Sequence, residues 1–556
     1  MKKIRGSNNS NNKGKNEGRQ SRRENKSEGI DYISHLPEAI ILHILSFLPL
    51  KELVAVSFLS RLWKSMVLAL ISMVPSNLNL DEIKMMGKYV CRREICYPEY
   101  GDGHTPNSAH QCLCHSVRAA RRKFEEFVDR TLLLHTGCTI EKLRLSICYD
   151  QNMPLKDSTE TYDAHSEYTK RIDKWVQFAF RNNIKNLELD FSKGKMFEPT
   201  GWDKIYDMPH GNFAPKNLKT FILNYCKLRP SIFVVFGSLQ RLSFKQVKIF
   251  GCSVLTIGEL VAKCPTLEDL SLEYCIIPND FMVSDQDMKI KRLSLINCKT
   301  DEWPMFPIEI SAPDLLMLTM VGVYLMNSTV RKALHLADVV IDIKQKYGDH
   351  IQGDALGILL TSLKHCQTLT LSTWCIQVLP TGENLLQQLP IQLLNLRQLK
   401  IVVGLTKQEY PGIACLLRSC PNMERLTLDM RRPMNVVWNA LQDFIPNIFD
   451  FEEHSYWQSQ NLPYQCLQHS LKKVEVNGFV GRSNEMKMIQ FLLENARVLE
   501  KMVISFIGRN AFAASTQQQQ NNYMQLQNNS LQLLNFPRAS SQAQIEIFGN
   551  PYNNTM

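Results

Sequence analysis

One short apolar phrase, two large aliphatic or aromatic side chains separated by a single residue, recurs along this 556-residue chain. It appears as Leu143-Arg-Leu145, Leu187-Glu-Leu189, Leu242-Ser-Phe244, Leu270-Ser-Leu272, Leu293-Ser-Leu295 and Leu318-Thr-Met320. It continues as Leu369-Thr-Leu371, Leu399-Lys-Ile401, Leu426-Thr-Leu428, Val474-Glu-Val476 and Met502-Val-Ile504. On a strand, alternate positions share a face, so each phrase points its apolar pair into a core and the intervening residues outward. Several neighbouring copies stand roughly 20 to 29 residues apart, the period of a stacked repeat. The pattern predicts an irregular solenoid from about Gly137 onward.

Between the phrases, residues 254–264, 413–420 and 486–496 have helical apolar spacing, and Pro265 and Pro421 close two of them. A strand and a helix per repeat predict an α+β horseshoe or arc. Cys275 and Cys298 follow their strands where repeats use Asn or Cys to turn the chain, which accounts for part of the sixteen cysteines. Strand leucines are committed to the core, so only their neighbours can read a partner. Asp269, Ser271, Glu273, Arg292, Ser294, Arg425, Thr427, Asp429, Lys473 and Glu475 are therefore the candidate target-binding residues.

The N-terminal region reads differently. Pro37 suits a helix start and Glu38 the positive end of its dipole. Ile40, Ile41, Ile44, Leu45 and Leu48 form one broad apolar face before Pro49 stops the run. Leu50, Leu53, Val54 and Ser57 share one side of a second short helix, and Leu59, Trp63 and Val67 make the stripe of a third. Three short helices cannot bury so much apolar surface alone, which implies a permanent partner or a docked second domain.

Leu36-Pro37, Ile44-Leu45-Ser46-Phe47-Leu48-Pro49 and Leu59-Ser60-Arg61-Leu62-Trp63 resemble the F-box, as found in the plant family that joins an F-box to leucine-rich repeats. Ala39 stands where that family often has an acid, and Leu62 where a base is common. An amphipathic segment at 169–183, with Ile172, Val176 and Phe180 on one face, matches the family's array start. Ser470-Leu-Lys-Lys-Val-Glu-Val-Asn-Gly-Phe-Val-Gly481 and the apolar run after it resemble the FBD region that ends many such proteins. Composition sets apart a basic arm over 1–28, and the resemblance implies an F-box over 31–72 and a linker with one helix over 73–136. Leucine-rich repeats over 137–468, an FBD-like region over 469–508 and a Gln/Asn-rich tail over 516–556 would follow.

It further implies a non-catalytic substrate-recognition subunit of a cullin-RING ubiquitin ligase, acting in the nucleus or cytoplasm. A Skp-type adaptor, and through it a cullin, would dock on Leu36, Pro37, Ile40, Ile44, Leu45, Leu48, Pro49, Leu53, Val54, Leu59 and Trp63. The repeats would hold an unidentified target protein. The alternative from another class is a repeat-based scaffold that binds a partner without delivering it to ubiquitin.

Composition is ordinary for a soluble globular protein: 44% hydrophobic and 21% charged residues. No secretory signal opens the sequence, and the apolar run at 66–74 falls short of a bilayer span, so no membrane partner is expected. The basic arm and the Gln/Asn-rich tail bury too little to order, and disordered termini are expected. Much of the net charge of +10 sits in that arm. It either addresses the nucleus or nucleic acid, or is a solvated tail. Nucleic acid is not expected as a partner, because the repeat strands are not notably basic.

No hydrolase elbow, phosphate loop, zinc-protease helix or dinucleotide fingerprint occurs, so no active site or cofactor is expected. Cys91, Cys96, His104, His110, Cys112, Cys114 and His115 are rich in soft ligands. Their spacing is wrong for a common structural zinc site, and no metal is expected.

Overall fold

A computed structural model describes residues 33, 35–73, 76–86, 108–135, 140–149, 161–182, 184–192, 205–209, 215–229, 236–249, 257–277, 281–284, 289–300, 308–323, 328–343, 351–379, 389, 391–430, 455–459, 464–506, 529 and 531–548. The basic arm, the first cysteines and histidine of the Cys/His segment, and the start of the Gln/Asn-rich tail lie outside them. Two compact units divide the chain, Met1–Met73 and Val74–Met556.

The first unit has helices α1 (Glu38–Ser46), α2 (Leu50–Val56) and α3 (Arg61–Met73). Both prolines stand one residue ahead of their helices: Pro37 and Pro49 are extended N-caps, and their carbonyls accept the first helical N–H groups. The start of α3 has a side-chain cap. The Ser60 hydroxyl accepts the Trp63 backbone N–H at 3.3 Å, the usual role of serine at a helix start. That bond gives the Leu-Ser-x-x-Trp spacing a physical cause. Leu59 consequently lies before α3 rather than on its stripe, and the buried positions of that helix are Met66, Val67 and Ile71. Both α1 and α2 pack on α3.

The second unit is a ladder of parallel strands in an 18-stranded sheet among the described residues. Leu78, Leu143, Leu187, Phe221, Leu242, Leu270, Leu293, Leu318, Val339, Leu369, Leu399, Leu426, Val474, Met502 and Ile545 stand side by side in unbroken register. Every phrase read in the sequence is in this ladder. Strands centred on Leu78, Phe221, Val339 and Ile545 join it as well. In Phe221-Ile-Leu223 and Val339-Val-Ile341 the intervening residue is apolar, which blurs the alternation that marks an inward face.

Two expectations are corrected here. Strand Ser76–Asp81 pairs with Ile140–Ser146, so the array begins within the 73–136 linker, separated from the next repeat by a long insertion. Strand Gln544–Phe548 pairs with Lys501–Phe506, so the described part of the tail after Thr516 carries a further repeat, with Leu533 and Ala543 buried beneath it. Its Gln/Asn-rich composition hides Ile545-Glu-Ile547.

The return segments carry helices in some repeats and short strands in others. Helices Ile257–Ala262 and Ile351–Ser362 flank a second, three-stranded parallel sheet made of Phe281–Ser284, Ile308–Ser311 and Thr329–Arg331, and helices Tyr410–Ser419 and Ser483–Asn495 serve later repeats. Phe281, Val283, Ile308, Ile310 and Val330 are its buried side chains, and several are β-branched, which suits a pleated surface. These consecutive repeats therefore have strands on both sides of the core.

Neighbouring strands share one device. Tyr225, Gln246, Tyr274 and Asn297 have φ between 51° and 60°, and Gly322 stands at the same place with φ 64°. Register aligns them, so the left-handed kink is imposed by the stack and not by glycine alone. After two of these kinks, the buried Cys275 and Cys298 thiols donate to the Phe244 and Leu272 carbonyls, each at 3.4 Å. Burial pushes the Cys275 thiol well above its ordinary range, so it stays protonated and acts as a small donor.

Helices Ser108–Leu134 and Thr161–Arg181 cover the N-terminal end of the array; Ile172, Val176 and Phe180 of the latter are buried. Among the described residues, no helix is long and apolar enough to cross a membrane.

Candidate functional site

The N-terminal unit divides its apolar residues into two sets. Ile41, Leu45, Val54, Met66, Val67 and Ile71 are buried. Ile33, Ile40, Ile44, Phe47, Phe58, Leu59 and Leu62 are exposed, with Phe47 at 73% and Leu59 at 71%. So many large apolar side chains on so few residues exceed what a solvated surface needs, and such clusters mark docking sites. Phe47 is held by the His43 ring, edge to face at 4.9 Å, which limits the rotamers it loses on binding.

Leu45 and Val54 are corrections to the expected adaptor set. At 1% and 3% exposure they belong to the module's interior and can act only by shaping it. Of the remaining candidates, Leu36, Leu48, Leu53 and Trp63 are half-buried, and Pro37, Ile40, Ile44, Pro49 and Leu59 are exposed. Phe47, Phe58 and Leu62 are exposed apolar residues outside that set. Their signal in the sequence was an apolar residue beside a helix end, where no periodicity assigns a face.

On the repeat array, Asp269, Ser271, Glu273, Arg292, Ser294, Arg425, Lys473 and Glu475 do present partly or fully exposed side chains. Thr427 and Asp429 are corrected: both are buried. The Lys400 ammonium sits 3.0 Å from the Asp429 carboxylate, and the Thr427 hydroxyl donates to Glu475 at 3.5 Å. Longer neighbouring side chains thus close over this outward-facing pair.

The outer face is organised as ion pairs between adjacent strands. Asp269 lies between Arg241 at 3.0 Å and Arg292 at 3.2 Å, Lys245 meets Glu273 at 2.7 Å, and Arg144 meets Glu188 at 2.8 Å. Lys501 reaches Glu546 at 2.7 Å. Such exposed pairs contribute about 0–1 kcal/mol each, so their weight lies in setting the charge pattern a partner meets.

Among the described residues, no group of three or more His, Cys, Asp or Glu side chains is placed to hold a metal ion. Residues 108–117, which include His110, Cys112, Cys114 and His115, are helical in backbone; the rest of the Cys/His segment lies outside the described residues.

Comparison with known proteins follows the same division. A family model described as At1g61320/AtMIF1, LRR domain, matches residues 132–547, and one for the F-box domain matches residues 33–73. The Arabidopsis thaliana F-box/LRR-repeat protein At1g56400 is 24% identical over 486 residues, covering 84% of this chain and 87% of that protein. The F-box/LRR-repeat protein At5g54820 is 25% identical over 84% of this chain and 88% of its own length. The F-box/FBD/LRR-repeat protein At4g03220 is 24% identical over 93% of this chain and 95% of its own, all from the same plant. A repeat ladder matched over most of its length, preceded by an F-box, places this chain in the At1g61320/AtMIF1 LRR-domain family of F-box/LRR-repeat proteins.

Proposed function

We propose that this protein is the substrate-recognition subunit of an SCF-type cullin-RING ubiquitin ligase. F-box domains generally bind Skp-type adaptors, and no catalytic family is indicated for this chain. The observation that carries the reading is the exposed apolar set of the F-box unit, Ile40, Ile44, Phe47, Phe58, Leu59 and Leu62, beside a complete small core. Aromatic and aliphatic anchors of this kind dominate binding energy, whereas rim charges tune rate and selectivity.

The adaptor docks there and brings the cullin with it. A target protein binds the outward positions of the repeat strands, with Arg292, Ser294, Arg425, Lys473 and Glu475 among its contacts. The receptor contributes effective concentration: it converts the encounter of the target with a charged ubiquitin-conjugating enzyme into an intramolecular event. The expected site of action is the nucleus, the cytoplasm or both.

Co-expression with a Skp-type adaptor and cullin, followed by affinity purification, tests the reading. Recovery of the ternary complex, and its loss on Leu59→Asp with an unchanged melting temperature, is the expected result. A folded protein that never retains the cullin would instead mark a scaffold outside the ligase.

A further inference from the structure

Among the described residues, the ion pairs of the outer face give way to an apolar stretch on strands Met317–Val323 and Asp338–Ile343. Before it stand the Arg241, Asp269, Arg292 cluster and the Lys245–Glu273 pair, and after it the Lys400–Asp429 and Lys473–Glu475 pairs. On strands Met317–Val323 and Asp338–Ile343 the outward residues are instead Met317, Thr319, Val321 and Val340, with Asp338 and Asp342. Thr368 and Thr370 follow on the next strand. Leu316, just ahead of its strand, replaces the charged residue found there on neighbours such as Lys291 and Glu268, which pair at 3.1 Å. Leu316 and Met317 are 41% and 43% exposed.

Asp338 is the exception in charge as well. Glu188, Asp269, Glu273, Asp429, Glu475 and Glu546 each have a cation within 3.0 Å. The strand neighbours of Asp338 are Met317 and Thr368, and among the described residues no cation lies within ion-pair distance of it. A carboxylate without a counter-ion among the described residues, set in a half-exposed apolar surface between ion-paired stretches of the face, is complementary to a cation brought by a partner.

We propose that Leu316, Met317, Val321, Val340 and Asp338 seat a peptide segment of the target protein that presents an arginine or lysine flanked by aliphatic residues. The cation pairs with Asp338, and the aliphatic side chains cover Met317, Val321 and Val340. The Asp338 carboxylate repels a phosphate backbone, which favours a protein segment over nucleic acid on this face. This inference deepens the proposed function and rests on the repeats being the target-binding part.

The test uses the full chain purified with a Skp-type adaptor and short fluorescent peptides carrying one arginine between two isoleucines, or one glutamate in its place. Binding is read by fluorescence anisotropy. The arginine peptide is expected to bind at least about tenfold tighter than the glutamate peptide, with Asp338→Asn abolishing the discrimination and Val340→Lys weakening the arginine peptide further. Both variants should keep the wild-type melting temperature and adaptor binding, since neither side chain is in the core. Equal binding of the two peptides, no binding of either, or discrimination that survives Asp338→Asn overturns the proposal. The ligase reading fails separately: the cullin would then be absent from the adaptor complex while the arginine peptide still binds.

Discussion

Arg121 and Glu82 form a buried ion pair at the N-terminal end of the repeat array, with the guanidinium Nε donating to the Glu82 carboxylate at 2.9 Å. Arg121 also donates to the Cys148 carbonyl at 3.0 Å and lies over the Tyr168 ring at 5.0 Å. The other Glu82 oxygen accepts the Cys148 backbone N–H. One pair thereby joins the short helix Glu82–Met86 after the first repeat strand, the segment that follows the second strand Ile140–Ser146, and both end helices.

Breaking half of such a pair leaves an uncompensated buried charge. Arg121→Met is expected to destabilise the protein by about 3–5 kcal/mol, whereas Arg121→Met with Glu82→Gln recovers part of that loss. Urea unfolding of the two variants measures the difference. Equal losses would show that packing, not charge, dominates at this site.

Inward and outward positions in the F-box unit should separate by assay. Leu45→Ala is expected to cost about 2–5 kcal/mol of stability through the cavity it leaves. Leu59→Ala should leave the melting temperature unchanged and weaken adaptor binding by a factor of about ten or more. Thermal melts and adaptor titration on the same preparations read both effects.

The repeat strands should show the same contrast. Leu272 is fully buried, so Leu272→Asp places a charge in the core and is expected to unfold the array locally. Glu273→Lys exchanges attraction to Lys245 for repulsion at the surface and is expected to change stability by about 1 kcal/mol at most. Circular dichroism melts of the two variants distinguish them.

Gly412 has no room for a side chain. A Cβ there would meet the Ile376 carbonyl oxygen at 1.9 Å, because helix Tyr410–Ser419 packs directly on Thr373–Val378. Gly412→Ala must push the two helices apart and is expected to destabilise by about 1–3 kcal/mol, visible as a lower denaturant midpoint.

His135 provides a pH signature. Its ring is buried, Nδ1–H donates to the Thr131 carbonyl at 2.7 Å, and burial lowers its pKa from the ordinary imidazole value. The folded state holds it neutral while the unfolded chain protonates more readily. Its contribution to stability is therefore full above the ordinary imidazole value and is lost as pH falls through the depressed folded value. His135→Asn keeps a donor for Thr131 without titrating, so its melting temperature should fall less than the wild type's across that window.

The sequence by itself determined the inward faces of the strands. Leu270-Ser-Leu272 and its counterparts alternate with period two, and no other arrangement buries both leucines of each phrase. It also determined where α1 and α2 begin, because Pro37 and Pro49 act on residues within a few positions of themselves, whereas the start of α3 after Leu59 emerged only with the Ser60 cap. Tertiary structure decided what depends on neighbours distant in sequence. Ile40, Ile41, Ile44 and Leu45 share one apolar arc, and the packing of α1 on α3 is what buries Ile41 and Leu45 and leaves the other two exposed. Thr427 and Asp429 alternate outward like their neighbours but are covered by side chains from adjoining strands. The solitary charge of Asp338 was invisible for the same reason: the strands beside it start about 20 and 30 residues away, and only the register reveals that neither brings a cation.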